Sequence, residues 1–263
     1  MYNYLIKNKS LFLILLKNEI ITKFRGSAFG LLWIFLIPFL MILLYTFVFS
    51  IIFNAKWAIS KTGSNVEFSL FMYSGLIFYN FFSEIISKST TQLRSNINYI
   101  KKIIFPLELL VFVNVGSALF NFLINLLLLF LFNFYVFSEF NFNIFISILN
   151  FLPFVVLTIG ITFFFTIASM VIRDLSYIVT ILLTALMFLT PIFYSVDIVP
   201  DKFRMIINLN PLTIPINAVR ELIFGNKIFY SDNYEIYILI SMIIFISGLI
   251  FFIKTKKFLI DFQ

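Results

Sequence analysis

The chain has 263 residues, a net charge of +7, no cysteine and no histidine, and is 62% hydrophobic against 12% charged. Soluble domains hold roughly 45–50% apolar and about 25% charged residues, and no core of this size can hide such an excess. A cytosolic enzyme, a secreted disulfide scaffold and a disordered tail are excluded, which leaves an all-α integral membrane protein. Without Cys or His there is no thiol nucleophile, no imidazole base and no Cys/His metal site. The 39 Phe accompany many Ile, Asn and Lys, as an AT-rich coding bias would produce, so aromatic content alone marks no site. The positive charge reads as loop charge on a membrane protein rather than as a nucleic-acid footprint.

A basic lead, residues 1–29, precedes the first apolar span, which argues against a cleaved signal peptide. Within it, Leu13, Leu16, Ile20 and Phe24 fall three, four and four residues apart. This single stripe predicts an amphipathic interfacial helix over Leu11–Phe24, with a cytosolic tail as the alternative. A bilayer-crossing helix needs about 20 apolar residues, and six stretches qualify: Gly30–Phe53, Phe68–Ser87, Leu109–Phe137, Ile144–Ile172, Leu175–Val196 and Ile236–Ile253. Pro38 lies near the middle of the first. Between spans five and six, Val199–Tyr230 is apolar in patches but is broken by Pro200, Pro211 and Pro215 and carries Arg220-Glu221. It is too interrupted to cross and predicts re-entrant helices in the outer leaflet, since irregular backbone at that depth needs cover from protein or a cavity. A plain outer loop is the alternative.

Thirteen basic residues fall on one side of this topology, among them Lys7, Lys23, Arg25, Arg94, Lys101, Arg173 and Lys254, against six on the other. The positive-inside rule places both termini in the cytoplasm. The bundle then covers 30–253 and the cytoplasmic tail 254–263.

The eight glycines form no G-x-x-x-x-G-K-[ST] loop, so ATP-driven work requires a partner chain. Glu84 is the one clear ionisable group within a span. Lys88 lies four residues on, and an i,i+4 pair explains Glu84 better than a proton relay does. Asn114, Ser117, Asn121 and Asn125 put a polar stripe on span three, read as interhelical hydrogen bonding or as the lining of a polar path. Gly26 and Gly30 match a small-xxx-small pattern at the membrane edge. The loop Ser89–Pro106 joins Arg94, Lys101 and Lys102 to an apolar knuckle ending in Phe105-Pro106, a combination suited to docking a cytosolic partner. Pro106 suits a first helical turn.

These pieces together resemble the ABC-2-type permeases of polysaccharide export. The resemblance is carried by Lys23-Phe24-Arg25-Gly26-Ser27 with Gly30-Leu31-Leu32-Trp33, by Asn80-Phe81-Phe82-Ser83-Glu84, by Ile100 to Pro106, by Arg173-Asp174, by Thr190-Pro191-Ile192-Phe193-Tyr194-Ser195 and by Leu209-Asn210-Pro211-Leu212. They run in the right order over nearly the whole chain, as one transmembrane domain over 1–263. The resemblance implies a homodimer of six-span subunits with two cytosolic ATPase subunits that bind ATP and Mg, no cofactor in this chain, and a substrate linked to a polyprenyl diphosphate lipid in the bacterial inner membrane. It implies a coupling segment at Arg94, Lys101, Lys102, Phe105 and Pro106, and an outer gate where Phe193 and Tyr194 meet sugar faces. Lys23 and Arg25, at headgroup depth, are the candidates for the carrier diphosphate, against plain anchoring charge. A drug or lipid exporter, and less so a membrane-embedded glycan enzyme, are the other readings.

Overall fold

The computed structural model describes residues 8–53, 65–96, 105–137, 143–224 and 234–261. Among these residues there is no strand. The helices, in chain order, are α1 (Lys9–Thr22), α2 (Trp33–Tyr45), α3 (Asn65–Ser89), the single turn α4 (Gln92–Ser95), α5 (Glu108–Phe137), α6 (Asn143–Val171), α7 (Leu175–Leu189), α8 (Asp201–Leu209), α9 (Thr213–Phe224) and α10 (Tyr234–Asp261).

Five segments are long and apolar enough to cross a membrane: Gly30–Phe49, Glu67–Ser89, Glu108–Phe137, Phe151–Val171 and Tyr234–Lys256. The predicted fifth span, Leu175–Val196, is a helix of only 15 residues. It stops at Thr190, whose ψ of 136° is extended, because Pro191 has no N–H to continue the ladder. The first span is uneven along its length. It opens as a 3-10 turn at Gly30–Leu32 and closes as a π-helical stretch over Thr46–Ile52. Pro38 sits buried inside α2.

α3 is the axis of the bundle. Its side chains from Phe68 to Ile86 are almost continuously buried, and α5, α6, α7 and α9 all pack on it. Five phenylalanines lock three helices at its centre. Phe122 and Phe151 stack at 3.8 Å and 5°, while Phe78 and Phe81 meet both edge-on and Phe154 closes the group. Offset and edge-to-face contacts of this kind add to the area they bury. The Phe excess therefore does structural service here, whatever produced it.

The closest helix pair is α6 with α10. A Cβ on Gly160 would stand 2.7 Å from the Ile244 carbonyl and from the Phe245 Cα, and Gly248 faces Gly160 across the crossing. Backbones touch here because neither helix has a side chain in the way. Gly26 and Gly30 act differently. Their φ values of 86° and 51° are left-handed, and nothing lies within 4 Å of either. They form the turn between α1 and the first span.

α1 forms close to the predicted place, at Lys9–Thr22. Leu11, Phe12, Leu15, Leu16, Glu19 and Ile20 face the protein, and Phe12 and Leu16 close over Gly116 of α5. Leu13, 51% exposed, lies at the edge of that face and lines an apolar groove with Leu16, Ile20, Ile21, Leu31 and Phe35, while Ile14 is exposed beyond it. The helix is apolar on two sides, one for α5 and one for its surroundings. Lys17 projects from the outer face.

Candidate functional site

Two ends of the bundle carry the polar chemistry. At the end where α1 sits, Lys23 pairs with Glu84, and Lys88 pairs with Glu19. The predicted pair between Glu84 and Lys88 is thus replaced by two bridges of opposite sense between α1 and α3. The reason is geometric. Glu19 and Lys23 are one turn apart, as are Glu84 and Lys88, so the two helix surfaces offer matched opposite charges. Glu84 also accepts from the Asn121 amide at 3.0 Å, while Asn114 donates to the Ile85 carbonyl at 3.0 Å. Arg25 is exposed, two residues beyond Lys23. Lys23, one of the two candidates for a diphosphate, thus has a carboxylate partner in this state.

The same end holds the coupling candidates. Arg94 donates to the carbonyls of Ile172 and Arg173, at 3.1 and 3.0 Å. These carbonyls lie at the C-terminus of α6, where a cation is favoured. Phe105 packs half-buried against a cluster of Leu93, Leu107, Leu110, Val111, Phe163, Ile167 and Phe252, and Pro106 is buried. Phe105 and Pro106 therefore face the bundle. The Pro106 carbonyl accepts from Leu109 N at 2.9 Å as α5 begins. Glu108 pairs with Lys256 near the end of α10. Lys101 and Lys102 lie outside the described residues.

At the opposite end the chain leaves the helix after Leu189, and Arg220 of α9 gathers carbonyls from beyond that break and from α3. Its guanidinium donates to Pro191 O at 2.5 Å, to Ile192 O at 3.0 Å and to Phe71 O on α3 at 2.8 Å. It is buried, and desolvation pulls its pKa down to about 9. At neutral pH it is therefore still the cation that makes these bonds. Gly75 makes room for it, since a Cβ there would lie 2.9 Å from Arg220 Nη2. Asn210 adds a second tie to Thr190 Oγ1 at 2.8 Å, and the Tyr237 hydroxyl holds the Pro211 carbonyl at 3.0 Å.

Phe193 is half-buried and stacks on Phe49 of the π-helical stretch at 6.2 Å, with Phe188 at 6.4 Å. Tyr194 turns back to donate to the carbonyls of Phe188 and Leu189, both at 3.1 Å. The two candidates thus share a turn but face different neighbours. Arg220 and Gly75 were not singled out from the sequence as a site. An arginine inside an otherwise apolar, proline-broken segment was the available signal.

Between the two ends, α2, α3 and α5 enclose a cleft of about 280 Å³ whose walls include Glu84, Asn121, Asn125, Tyr73, Trp33 and Asn80. No group of three or more acidic residues able to hold a metal exists among the described residues.

An all-helical bundle of apolar spans, with buried polar ties at each end and two short helices before the last span, is the architecture of a multi-pass membrane permease. The chain belongs to the ABC-2 type transporter family, whose model matches residues 10–224. It is similar to the O-antigen export system permease protein RfbA of Klebsiella pneumoniae, 28% identical over 94% of this chain and 92% of the relative. A protein of the same description from Myxococcus xanthus is 24% identical over 85% and 84% of the two chains. The polysialic acid transport protein KpsM of Escherichia coli is 23% identical over 80% of each.

Proposed function

We propose that this chain is the membrane-spanning permease subunit of an ATP-binding cassette exporter that moves a lipid-linked polysaccharide out across the bacterial inner membrane. The observation that carries the reading is similarity along most of the chain to permeases named for two different glycans, O-antigen and polysialic acid. What those relatives share is polysaccharide export and not one sugar. ATP and Mg belong to a separate cytosolic subunit, in two copies on a permease homodimer, since this chain has no phosphate-binding loop. The first span leaves an apolar face open to a second copy: Phe35, Phe39, Leu43 and Phe47 are all exposed.

The topology proposed is six crossings with both termini cytoplasmic. The pairs Glu19–Lys88 and Glu108–Lys256 bring α1 and the end of α10 to one end of the bundle, and an even number of crossings is needed for that. α7 then counts as the fifth. Its 15 residues reach about 22 Å at 1.5 Å per residue, against a hydrocarbon core of about 30 Å, so the segment through Ser195 completes the passage. α8 and α9 are the re-entrant pair. The exposed Phe203, Met205, Ile206 and Leu209 of α8 suit the outer leaflet. In this frame Lys23 and Arg25 meet the carrier diphosphate on the cytoplasmic face. Arg94, Lys101, Lys102, Phe105 and Pro106 form the coupling segment, and Phe193 and Tyr194 stand at the outer gate.

The experiment is deletion and rescue. Cells without the gene should lose surface glycan and accumulate carrier-linked glycan inside, and the intact chain should restore export. Normal surface glycan in the deletion strain would overturn the reading.

A further inference from the structure

The polar stripe of α5 divides into a dry half and a wet half. Asn114 and Ser117 are each 1% exposed, in a tight seam against α3. Asn121 and Asn125, one and two turns on, are half-buried and line the cleft of about 280 Å³ between α2, α3 and α5. A ladder of hydrogen bonds climbs its wall. Asn121 donates to Glu84 at 3.0 Å, Asn125 donates to the Asn121 carbonyl at 2.7 Å, and the Tyr73 hydroxyl donates to Asn125 Oδ1 at 2.8 Å. Trp33 forms an aromatic wall, and Asn80 stands exposed at the rim. Residues that only join helices sit as Asn114 does; they do not line a space.

We propose that this cleft is a binding site within the single subunit for one sugar ring of the exported lipid-linked glycan. The proposal rests on the exporter reading above and adds where and how a sugar is held. The lining chooses the ligand class. An acyl chain would strip water from Glu84 and three amides and return no hydrogen bond. A lone ion of either sign finds no net charge to pair with, because Lys23 and Glu84 already neutralise each other at this wall. A neutral, hydroxyl-rich ring satisfies the whole wall: its hydroxyls donate to Glu84 and to amide oxygens and accept from amide N–H groups, while its C–H face rests on the Trp33 indole. The volume lies just under the range of roughly 300–1,000 Å³ usual for small-molecule sites, which fits one ring rather than a longer segment. Glu84 lies at the end of the bundle that carries α1, so the site is placed for loading from the cytoplasmic side.

Trp33 supplies the readout, because Trp57 is the only other tryptophan of the chain. The full-length Trp57→Phe protein is placed in lipid nanodiscs and titrated with carrier-linked glycan extracted from cells lacking the permease gene. Bare polyprenyl diphosphate and carrier-free glycan form the other arms. We expect a saturable change in Trp33 emission with both glycan-bearing probes and none with the bare carrier. Asn121→Leu should raise the apparent Kd at least tenfold. If that variant does not fold, Asn80→Ala at the exposed rim should raise it severalfold, and Ala118→Met, which fills the cleft, should abolish the response. An equal response to bare carrier, or unchanged titrations in the folded variants, would overturn the sugar site while leaving the exporter reading intact. If deletion cells instead accumulate no carrier-linked glycan, the exporter reading fails, and this proposal falls with it.

Discussion

Glu84 takes its cation from Lys23, sixty-one residues away, and leaves Lys88, one turn along its own helix, to Glu19. The two bridges hold α1 against α3 with charges of alternating sign, so the helix can seat in only one register. Each partner is about a quarter to a third exposed, and each pair contributes about 0–1 kcal/mol after screening. Lys23→Glu alone should loosen α1, and Lys23→Glu with Glu84→Lys should restore it. The chain has no cysteine, so Leu16→Cys with Gly116→Cys reports the seating through cross-linking. We expect the single reversal to lower its yield by up to about fivefold and the swap to recover most of that. A yield unaffected by the single reversal would dissolve the clamp. Arg25, exposed beside it, separates phosphate contact from anchoring: Arg25→Lys keeps the charge but loses the planar fork, and should reduce export at normal membrane levels.

Arg94 spends its guanidinium on the end of α6, which changes how the coupling segment is best tested. Reversing Arg94 would disturb the Ile172–Arg173 junction as well as any partner contact. Lys101→Glu with Lys102→Glu avoids that confusion. In membranes containing the assembled exporter, this double variant should still bind the ATPase subunit weakly but hydrolyse ATP without moving glycan. Normal export by the double variant would remove both lysines from the coupling segment.

Arg220 holds the broken end of α7 to α3 through three carbonyls. A buried acceptor left without its donor costs about 1–3 kcal/mol. Arg220→Leu should therefore unfold the protein at markedly lower temperature in detergent. Arg220→Lys, which cannot span the three carbonyls, should fall between that variant and the parent. Gly75→Ala should mimic the loss in part by pushing on the guanidinium. A thermal midpoint unchanged in all three would show that the cation is not the tie.

Gly160 and Gly248 set the contact of α6 with α10. Overpacking usually costs about 1–3 kcal/mol where neighbours can adjust. Here the neighbours are backbone, so Gly160→Leu should prevent stable assembly and Gly160→Ala should lower it measurably. Membrane abundance and gel filtration of the two variants give the order. Equal abundance of Gly160→Leu and the parent protein would mean that the helices separate without loss.

At the outer gate, Phe193 stacks on Phe49, whereas Tyr194 caps carbonyls of α7. Phe193→Leu with Tyr194→Leu keeps the apolar volume and removes both rings. We expect normal insertion and ATPase assembly with less or shorter glycan on the surface. Export matching wild type in amount and length would return both residues to an interfacial aromatic belt.

The membrane class and the positions of five apolar helices were legible in the sequence. Each depends on composition local to its segment: lipid demands runs of about 20 apolar residues. The family, too, was legible in the order of short motifs, and the match over residues 10–224 bears it out. The charge partners were not. Glu84 with Lys88 is the local answer, and Glu84 with Lys23 became available only when α1 packed on α5 and so brought Lys23 to α3. Nor was the partner of α1: that Phe12 and Leu16 close over Gly116 of α5 is a contact between segments about a hundred residues apart. Arg220 read only as a charge within a proline-broken, re-entrant segment until the folding of α9 brought it to carbonyls on two other segments. Spacing along a chain determines which residues share a helix face. Which face is covered, and which charge meets which, is decided by packing between segments far apart in sequence.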